Sequence, residues 1–268
     1  MLTPRALLVP TLPTLLVDEH RHHRTEMLVA LEALASRLHA DDPEIVVALS
    51  ARWGSEGPFL VDAGRRHRTL TDYPGFGVEV RYDCPGHPEL ARALVIAGVA
   101  AGARVAEVKR GVDSGVTVPL HFLLPSSRIP VVPLSLADRS AAECRAWGAT
   151  LRTALSPRPE RIVFVVGGML SYHQHAWSLG RDLPETRVFD ERLLEALRTG
   201  AWDAARPASP AEAERVQPQA GLRHLELLRG FLGSDPPGVV LSYESSPGVG
   251  SALMEFEVTV EATGPVES

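Results

Sequence analysis

Two apolar runs constrain this chain more than any other feature: residues 44–49 (EIVVAL) and 161–166 (RIVFVV). Neither alternates polar with apolar, and both are partly β-branched. A strand with that pattern is covered on both faces, as in layered α/β sheets. Segments of helical period lie between such runs. Residues 26–38 place Met27, Leu28, Leu31, Leu34, Ala35 and Leu38 on one face, the spacing of an amphipathic helix. Residues 87–101 are rich in Ala and Leu, with Pro88 at the start, where a missing N–H is tolerated. Residues 140–155 open on Ser140 with Glu143 three positions on, a capping-box spacing.

Residues 185–198 predict a helix ending at Gly200, and 210–231 predict one or two helices interrupted near Pro218. Strands are expected at 6–9, with 15–17 as an extension, and at 58–62, 104–108, 129–134, 238–243 and 253–260. Residues 72–83 suggest a loop followed by a strand. Pro130 and Pro133 imply that the strand at 129–134 lies at an edge or has an irregular end. Strands alternating with helices predict a layered α/β sheet with helices on both faces. No internal repeat or long linker interrupts the pattern, so residues 1–268 are expected to form one domain.

Composition narrows the function. Of 268 residues, 45% are hydrophobic and 22% charged, enough for a full core. A net charge of −6 and a pI near 5.9 exclude a general nucleic-acid surface. Cys84 and Cys144 have no C-x-x-C spacing, which argues against a disulfide framework or zinc ribbon and makes a reducing cytoplasm the default. Pro4, Pro10 and Pro13 break the apolar N-terminus and Arg5 is its one basic residue, so it reads as a strand and loop, not a signal peptide. No apolar run reaches membrane-spanning length. A Walker loop, a G-x-S-x-G elbow and an H-E-x-x-H helix are all absent.

Residues 109–124 (KRGVDSGVTVPLHFLL) read as a polar loop feeding a buried helix. Gly111 and Gly115 permit tight turns, Asp113 suits bonding to nearby amides, and Pro119 suits a first helical turn. His173 and His175 follow the Gly167-Gly168 turn, which itself could offer N–H groups to an anion. An imidazole there suits acid/base work near neutrality, or else is a pocket histidine bonded to backbone. His20, His22 and His23 sit among Glu19, Arg21 and Arg24 and read as a solvated helix end. Glu244 and Glu255 are available carboxylates, with Glu255 and Glu257 on one strand face opposite Phe256.

Taken together, several stretches resemble the class III extradiol ring-cleavage dioxygenases, the LigB-like family that includes DOPA-extradiol-type enzymes. The family's S-P-H-W is similar to Ser50-Ala51-Arg52-Trp53, and its D-Y-x-G-F to Asp72-Tyr73-Pro74-Gly75-Phe76. P-G-x-P-E-L-A is matched by residues 85–91, D-H-G-x-x-V-P-L by 113–120, and I-P-V-V-x-L-S by 129–135. Gly167 to His173 resembles G-S-x-x-x-x-H, and Phe189-Asp190 the F-D that follows. The order holds over residues 7–232. The resemblance implies a three-layer αβα sandwich around a central mixed, mostly parallel sheet.

It also implies Fe(II), or another divalent metal, on His and carboxylate or His ligands, with open positions for a catechol and oxygen. The departures from the family motifs fall on those ligands. The His expected after strand one falls near Thr11 or Thr14. The His of S-P-H-W is Arg52, a permanent cation with no lone pair to give. The acid/base His of D-H-G is Ser114, and the late H-P-x-E-x-H aligns with Gln217-Pro218. His173 is the one matched family histidine. No resident cofactor is therefore expected.

A buried Arg52 needs an anion, either a bound carboxylate or phosphate or an internal partner such as Asp113 or Glu244. Two functions remain open. One is a disabled relative that binds a small aromatic or anionic ligand, through Thr11, Arg52, Asp113, Ser114 and Glu244, or that acts as a homodimer or beside an intact paralogue. The other is a dioxygenase with a rearranged site, His175 and Glu244 joining His173.

Overall fold

The computed structural model describes residues 2–73 and 75–259. In chain order it runs β1 (Leu2–Val9), α1 (Thr14–His20), α2 (Glu26–Ala40), β2 (Ile45–Ser55), β3 (Phe59–Asp62), β4 (Arg66–His67) and β5 (Cys84–Pro85). It continues through α3 (Pro88–Ala100), β6 (Val105–Val108), α4 (Ser114–Leu123), β7 (Val131–Ala137), α5 (Ala141–Leu155), β8 (Ile162–Gly167) and α6 (Gln174–Ser178). It closes with α7 (Pro184–Thr199), α8 (Pro210–Val216), α9 (Arg223–Leu232), β9 (Gly238–Ser246) and β10 (Val249–Glu257).

One eight-stranded sheet has the order β6-β3-β7-β2-β8-β1-β10-β9, and β4 and β5 form a separate ribbon. The neighbours β7, β2, β8 and β1 run parallel. β3 and β6 are parallel to each other but antiparallel to β7. β10 and β9 add antiparallel pairs. The two apolar runs of the sequence are the central strands β2 and β8, and their residues divide between the faces with period two. Ile45, Val47, Leu49, Ile162, Phe164 and Val166 pack with Leu90, Trp147, Phe189 and Leu228 of α3, α5, α7 and α9. Val46, Ala48, Val163 and Val165 pack with Met27, Leu31, Val116 and Leu120 of α2 and α4. This is the expected αβα arrangement.

Local chemistry explains the boundaries. Ser140 and Glu143 form the full capping box of α5, and Gly200 closes α7 at φ 74, a conformation glycine adopts without strain. Four local expectations fail. Residues 15–17 belong to α1, not to a strand. Residues 72–83 form turns with no strand among the described positions. β7 is interior, not an edge: Pro133 pairs with Ala48, while β3 touches β7 through Val61 and Leu134 alone, so that side has few ladder bonds for a proline to break. Finally, α4 begins at Ser114, which puts Pro119 inside the helix. The last strand ends at Glu257, and Val260 lies outside the described residues.

Candidate functional site

The carboxyl ends of β1, β2 and β8 come together at one end of the sheet because these strands are parallel. Ligand sites of α/β folds form at such ends. β2 breaks register there. Ser50 pairs with Ser135, and the next pair is Gly54 with Leu136, so Ala51, Arg52 and Trp53 bulge out with no partners opposite. A bulge re-aims side chains beside sites. Ser50 Oγ holds it, accepting from the amides of Arg52 and Trp53 at 3.2 Å each.

The same hydroxyl donates to Asp113 Oδ1 at 2.8 Å. Asp113 caps α4 by accepting from Gly115 N at 3.1 Å, and its other oxygen accepts from Arg110 at 3.1 Å. Gly115 serves close approach, not the turn expected of it: a Cβ there would stand 2.0 Å from Ser50 Oγ. Gly111, at φ 113, does make the turn.

Asp72 binds the N-terminus of α4, accepting from Ser114 N at 3.1 Å and Ser114 Oγ at 2.8 Å. Arg52 Nε donates to the same carboxylate at 3.3 Å, and its Nη1 donates to Tyr172 Oη at 3.1 Å. Burial works against the Arg52 charge, but Tyr172 and Asp72 outweigh it and its pKa is raised. Its Nη2 has no partner among the described residues. The loop carrying Asp72 is anchored by buried Tyr73 and by Phe76 stacked on Trp177 at 5.7 Å; Pro74 lies outside the described residues.

A second polar group lies on the 167–169 turn. His224 on α9 is wholly buried, and a methyl on Gly168 would meet its ring at 2.7 Å and Ala51 Cβ at 3.3 Å. Neither ring nitrogen has a hydrogen-bond partner among the described residues, and neither does buried Thr11 Oγ1. Burial pulls the imidazole down to about 4, opposed by the nearby Met169 carbonyl, which lies outside hydrogen-bond geometry. Beyond it, buried Asp190 accepts from Ser171 N and Oγ and from Tyr243 Oη. Burial pushes that carboxyl up to about 6 in spite of these donors. A cavity of about 370 Å³ adjoins the bulge, lined in part by Ala51, Ser55, Asp138 and Arg223.

The structure therefore gathers Arg52, Asp113 and Ser114, and adds Asp72 and Tyr172. Thr11 lies at the neighbouring strand end. Glu244 does not join: its Oε1 accepts from Met27 N at 3.2 Å, at the start of α2. The expected Arg52 partners, Asp113 and Glu244, are instead Asp72 and Tyr172. His173 Nδ1 accepts from Ala176 N at 3.2 Å as the cap of α6, and His175 is exposed, so neither completes a shared constellation. Gly168 N donates to Val9 O and is spent within the backbone. Glu255 is not a free solvent-facing carboxylate but pairs with Arg5 and Arg37. His20 at the end of α1 and His22 and His23 between α1 and α2 are exposed.

Sequence reasoning missed three residues. Asp72 and Tyr172 stood inside quoted motifs without a role. His224 carried no signal beyond being a histidine on an amphipathic helix. Among the described residues no three His, Cys, Asp or Glu side chains are grouped to hold a metal ion.

These features define an α/β protein with a polar site at the carboxyl ends of its parallel strands. The family described as the catalytic LigB subunit of aromatic ring-opening dioxygenase matches residues 6–256, and the chain belongs to that family. It is 28% identical over 181 residues to the 4,5-DOPA dioxygenase extradiol of Beta vulgaris, covering 65% of this chain and 66% of that one. It is 31% identical to the dioxygenase tasH of Hapsidospora irregularis, covering 68% of this chain and 59% of that one. The aligned region thus spans less than two thirds of either relative. With the 2-aminophenol 1,6-dioxygenase alpha subunit of a Pseudomonas species the identity is 27%, covering 86% of this chain and 90% of that one. An uncharacterised Escherichia coli K12 protein shares the fold, with TM-score 0.69, 19% identity and coverage of 94% and 99%. Among the described residues no helix is long and apolar enough to cross a membrane.

Proposed function

We propose that this chain is an extradiol dioxygenase relative that has lost its Fe(II) site and serves as a ligand-binding or partner subunit. One observation carries the reading: at the β2 bulge stands Arg52, held by Asp72 and Tyr172. Iron of this kind needs imidazole and carboxylate donors with free lone pairs. Arg52 has none to give. The nearby carboxylates are committed, Asp72 to Arg52 and Ser114 and Asp113 to Ser50, Gly115 and Arg110. Around Arg52 the donor set does not fit the metal.

Arg52 keeps Nη2 for an anionic group. A carboxylate on a small aromatic ligand matches that donor. Similarity to a protein named as an alpha subunit supports a heteromer with an intact paralogue, with a homodimer as the simpler assembly.

A second reading is an extradiol dioxygenase of a catechol-like aromatic with a rearranged site. It is favoured by His224 and Thr11, buried polar groups without partners at the strand ends.

Metal analysis of protein purified without an affinity tag separates the two. The proposal expects substoichiometric Fe and Mn, no oxygen uptake on catechols, and aromatic carboxylate binding lost in Arg52→Ala. Arg52→His alone is expected not to restore tight iron binding, because Thr11 remains. Stoichiometric iron with oxygen uptake in the native protein selects the second reading.

A further inference from the structure

We propose that a basic cavity beside the β3–β6 edge of the sheet binds a small polyanion carrying two or more phosphates. This inference does not rest on the function proposed above. β6 and β3 are parallel neighbours at one edge of the sheet, and Arg110 in the loop after β6 also pairs with Asp113 of the Arg52 site. Between the loops that follow these two strands lies a cavity of about 430 Å³, lined by Arg65, Arg66, Arg68, Arg92, Lys109 and Arg110. Its size suits a small molecule rather than a macromolecular surface.

The charge there is not balanced locally. Arg92 pairs with Glu107 at 3.3 Å and Arg110 with Asp113 at 3.1 Å. Arg65, Arg66, Arg68 and Lys109 have no ion pair among the described residues. The carboxylate in the wall, Asp62, is wholly buried and spent on backbone. It accepts from Gly64 N at 2.8 Å, Arg110 N at 2.8 Å and Gly111 N at 2.7 Å, with His67 Nδ1 at 3.5 Å. Burial raises the Asp62 pKa, but His67 and these amides outweigh it and hold it near 2. Asp62 is thus a clamp between the loops, not a counter-ion for the arginines.

The clamp makes the basic set a built frame. Ala63 N donates to Val108 O at 2.9 Å, Val112 N to Arg68 O at 3.0 Å and Gly86 N to Arg65 O at 2.9 Å. A Cβ on Gly111 would stand 2.5 Å from Arg68 O, so the two loops touch backbone to backbone. Four exposed cations without ion pairs among the described residues, carried on a pinned backbone in a chain of net charge −6, make a local positive field that attracts anions. Arginines bind phosphate oxygens through paired N–H donors, and several phosphates match several cations better than one.

Isothermal titration of the full chain with inorganic triphosphate, pyrophosphate and orthophosphate at matched ionic strength tests this. Saturable triphosphate binding is expected, weaker for pyrophosphate and weakest for orthophosphate. Each of Arg66→Ala, Arg68→Ala and Lys109→Ala should weaken it by about ten-fold. These side chains are exposed, so the variants should fold, with circular dichroism as the check. Arg21→Ala, at the exposed end of α1, should leave binding unchanged. The proposal is overturned by no saturable binding at millimolar triphosphate, by equal affinity for the three anions, or by binding that survives all three cavity variants.

Discussion

Arg52 and Ala51 are neighbours on one bulge, yet the polar groups beside them are satisfied to opposite degrees. On the Arg52 side the guanidinium, Asp72, Ser114, Ser50 and Asp113 are linked through hydrogen bonds. On the Ala51 side His224 is buried with no partner among the described residues, and so is Thr11 Oγ1 at the end of β1. The difference follows from charge. A guanidinium cannot shed its proton, so burial forces the fold to supply anions and acceptors. An imidazole can shed its proton and stay neutral, and burial that pulls His224 to about 4 lets it remain without a counter-ion. The first cluster therefore holds its loop and helix in place, and the second is tolerated at a cost in stability.

The largest expected effect attacks the contact that lets the first cluster form. Gly115→Ala drives a methyl into Ser50 Oγ and the Asp113 cap, and should cost about 3 kcal/mol in urea unfolding. Loss of less than about 1 kcal/mol would mean that α4 slides freely over β2, and the cluster is not rigid. Next, Asp72→Ala strips Arg52 of its carboxylate and Ser114 of its acceptor. About 2 kcal/mol is expected, reduced by the partial exposure of the pair. If the two clusters do differ as argued, raising salt should blunt this effect only partly.

The second cluster should respond in the opposite sense. His224→Leu removes two unpaired ring nitrogens and should stabilise the protein by about 1 kcal/mol at pH 7. It should also remove a pH dependence. The unfolded imidazole titrates near 6.5 and the folded one near 4, so between those values the unfolded chain binds more protons. The contribution of His224 to wild-type stability should then fall as pH drops through that window, and it should be absent in the variant. Asp190, pushed up from 3.8 to about 6, acts oppositely, its contribution falling as pH rises through that range. The difference between wild type and His224→Leu isolates the histidine; a difference flat from pH 6.5 to 4 shows the ring to be solvated. The smallest effect belongs to His175→Ala. On an exposed helix turn it should stay within about 0.5 kcal/mol, and any larger loss would place His175 in a cluster of its own.

Much of this architecture was legible as pattern. The continuous apolar runs became β2 and β8, the 3.6-residue spacing became α2, and the Ser140–Glu143 box became the start of α5. Each depends on residues close in sequence. The exceptions show where local rules yield. Pro130 and Pro133 suggested an edge or an irregular end, yet β7 lies between β3 and β2, and Pro133 is tolerated because the β3 side makes one ladder pair. Pro119 looked like a first-turn residue, yet Asp113 caps α4 five residues before the point where that proline would start it.

The candidate site was half legible. That Arg52, Ser114 and either Thr11 or Thr14 stand where the family motifs carry histidines is what the resemblance implies, and it needs no coordinates. The partner of Arg52 did not follow, because Asp72 and Tyr172 arrive from separate loops, 20 and 120 residues away, and the two carboxylates weighed from the sequence were Asp113 and Glu244. Nor could the order of residues say that Glu244 would cap α2, or that His224 would turn inward beside Gly168. Side-chain chemistry is local and can be read from a string; which charges are neighbours is settled only when strands, bulge and helix ends pack against one another.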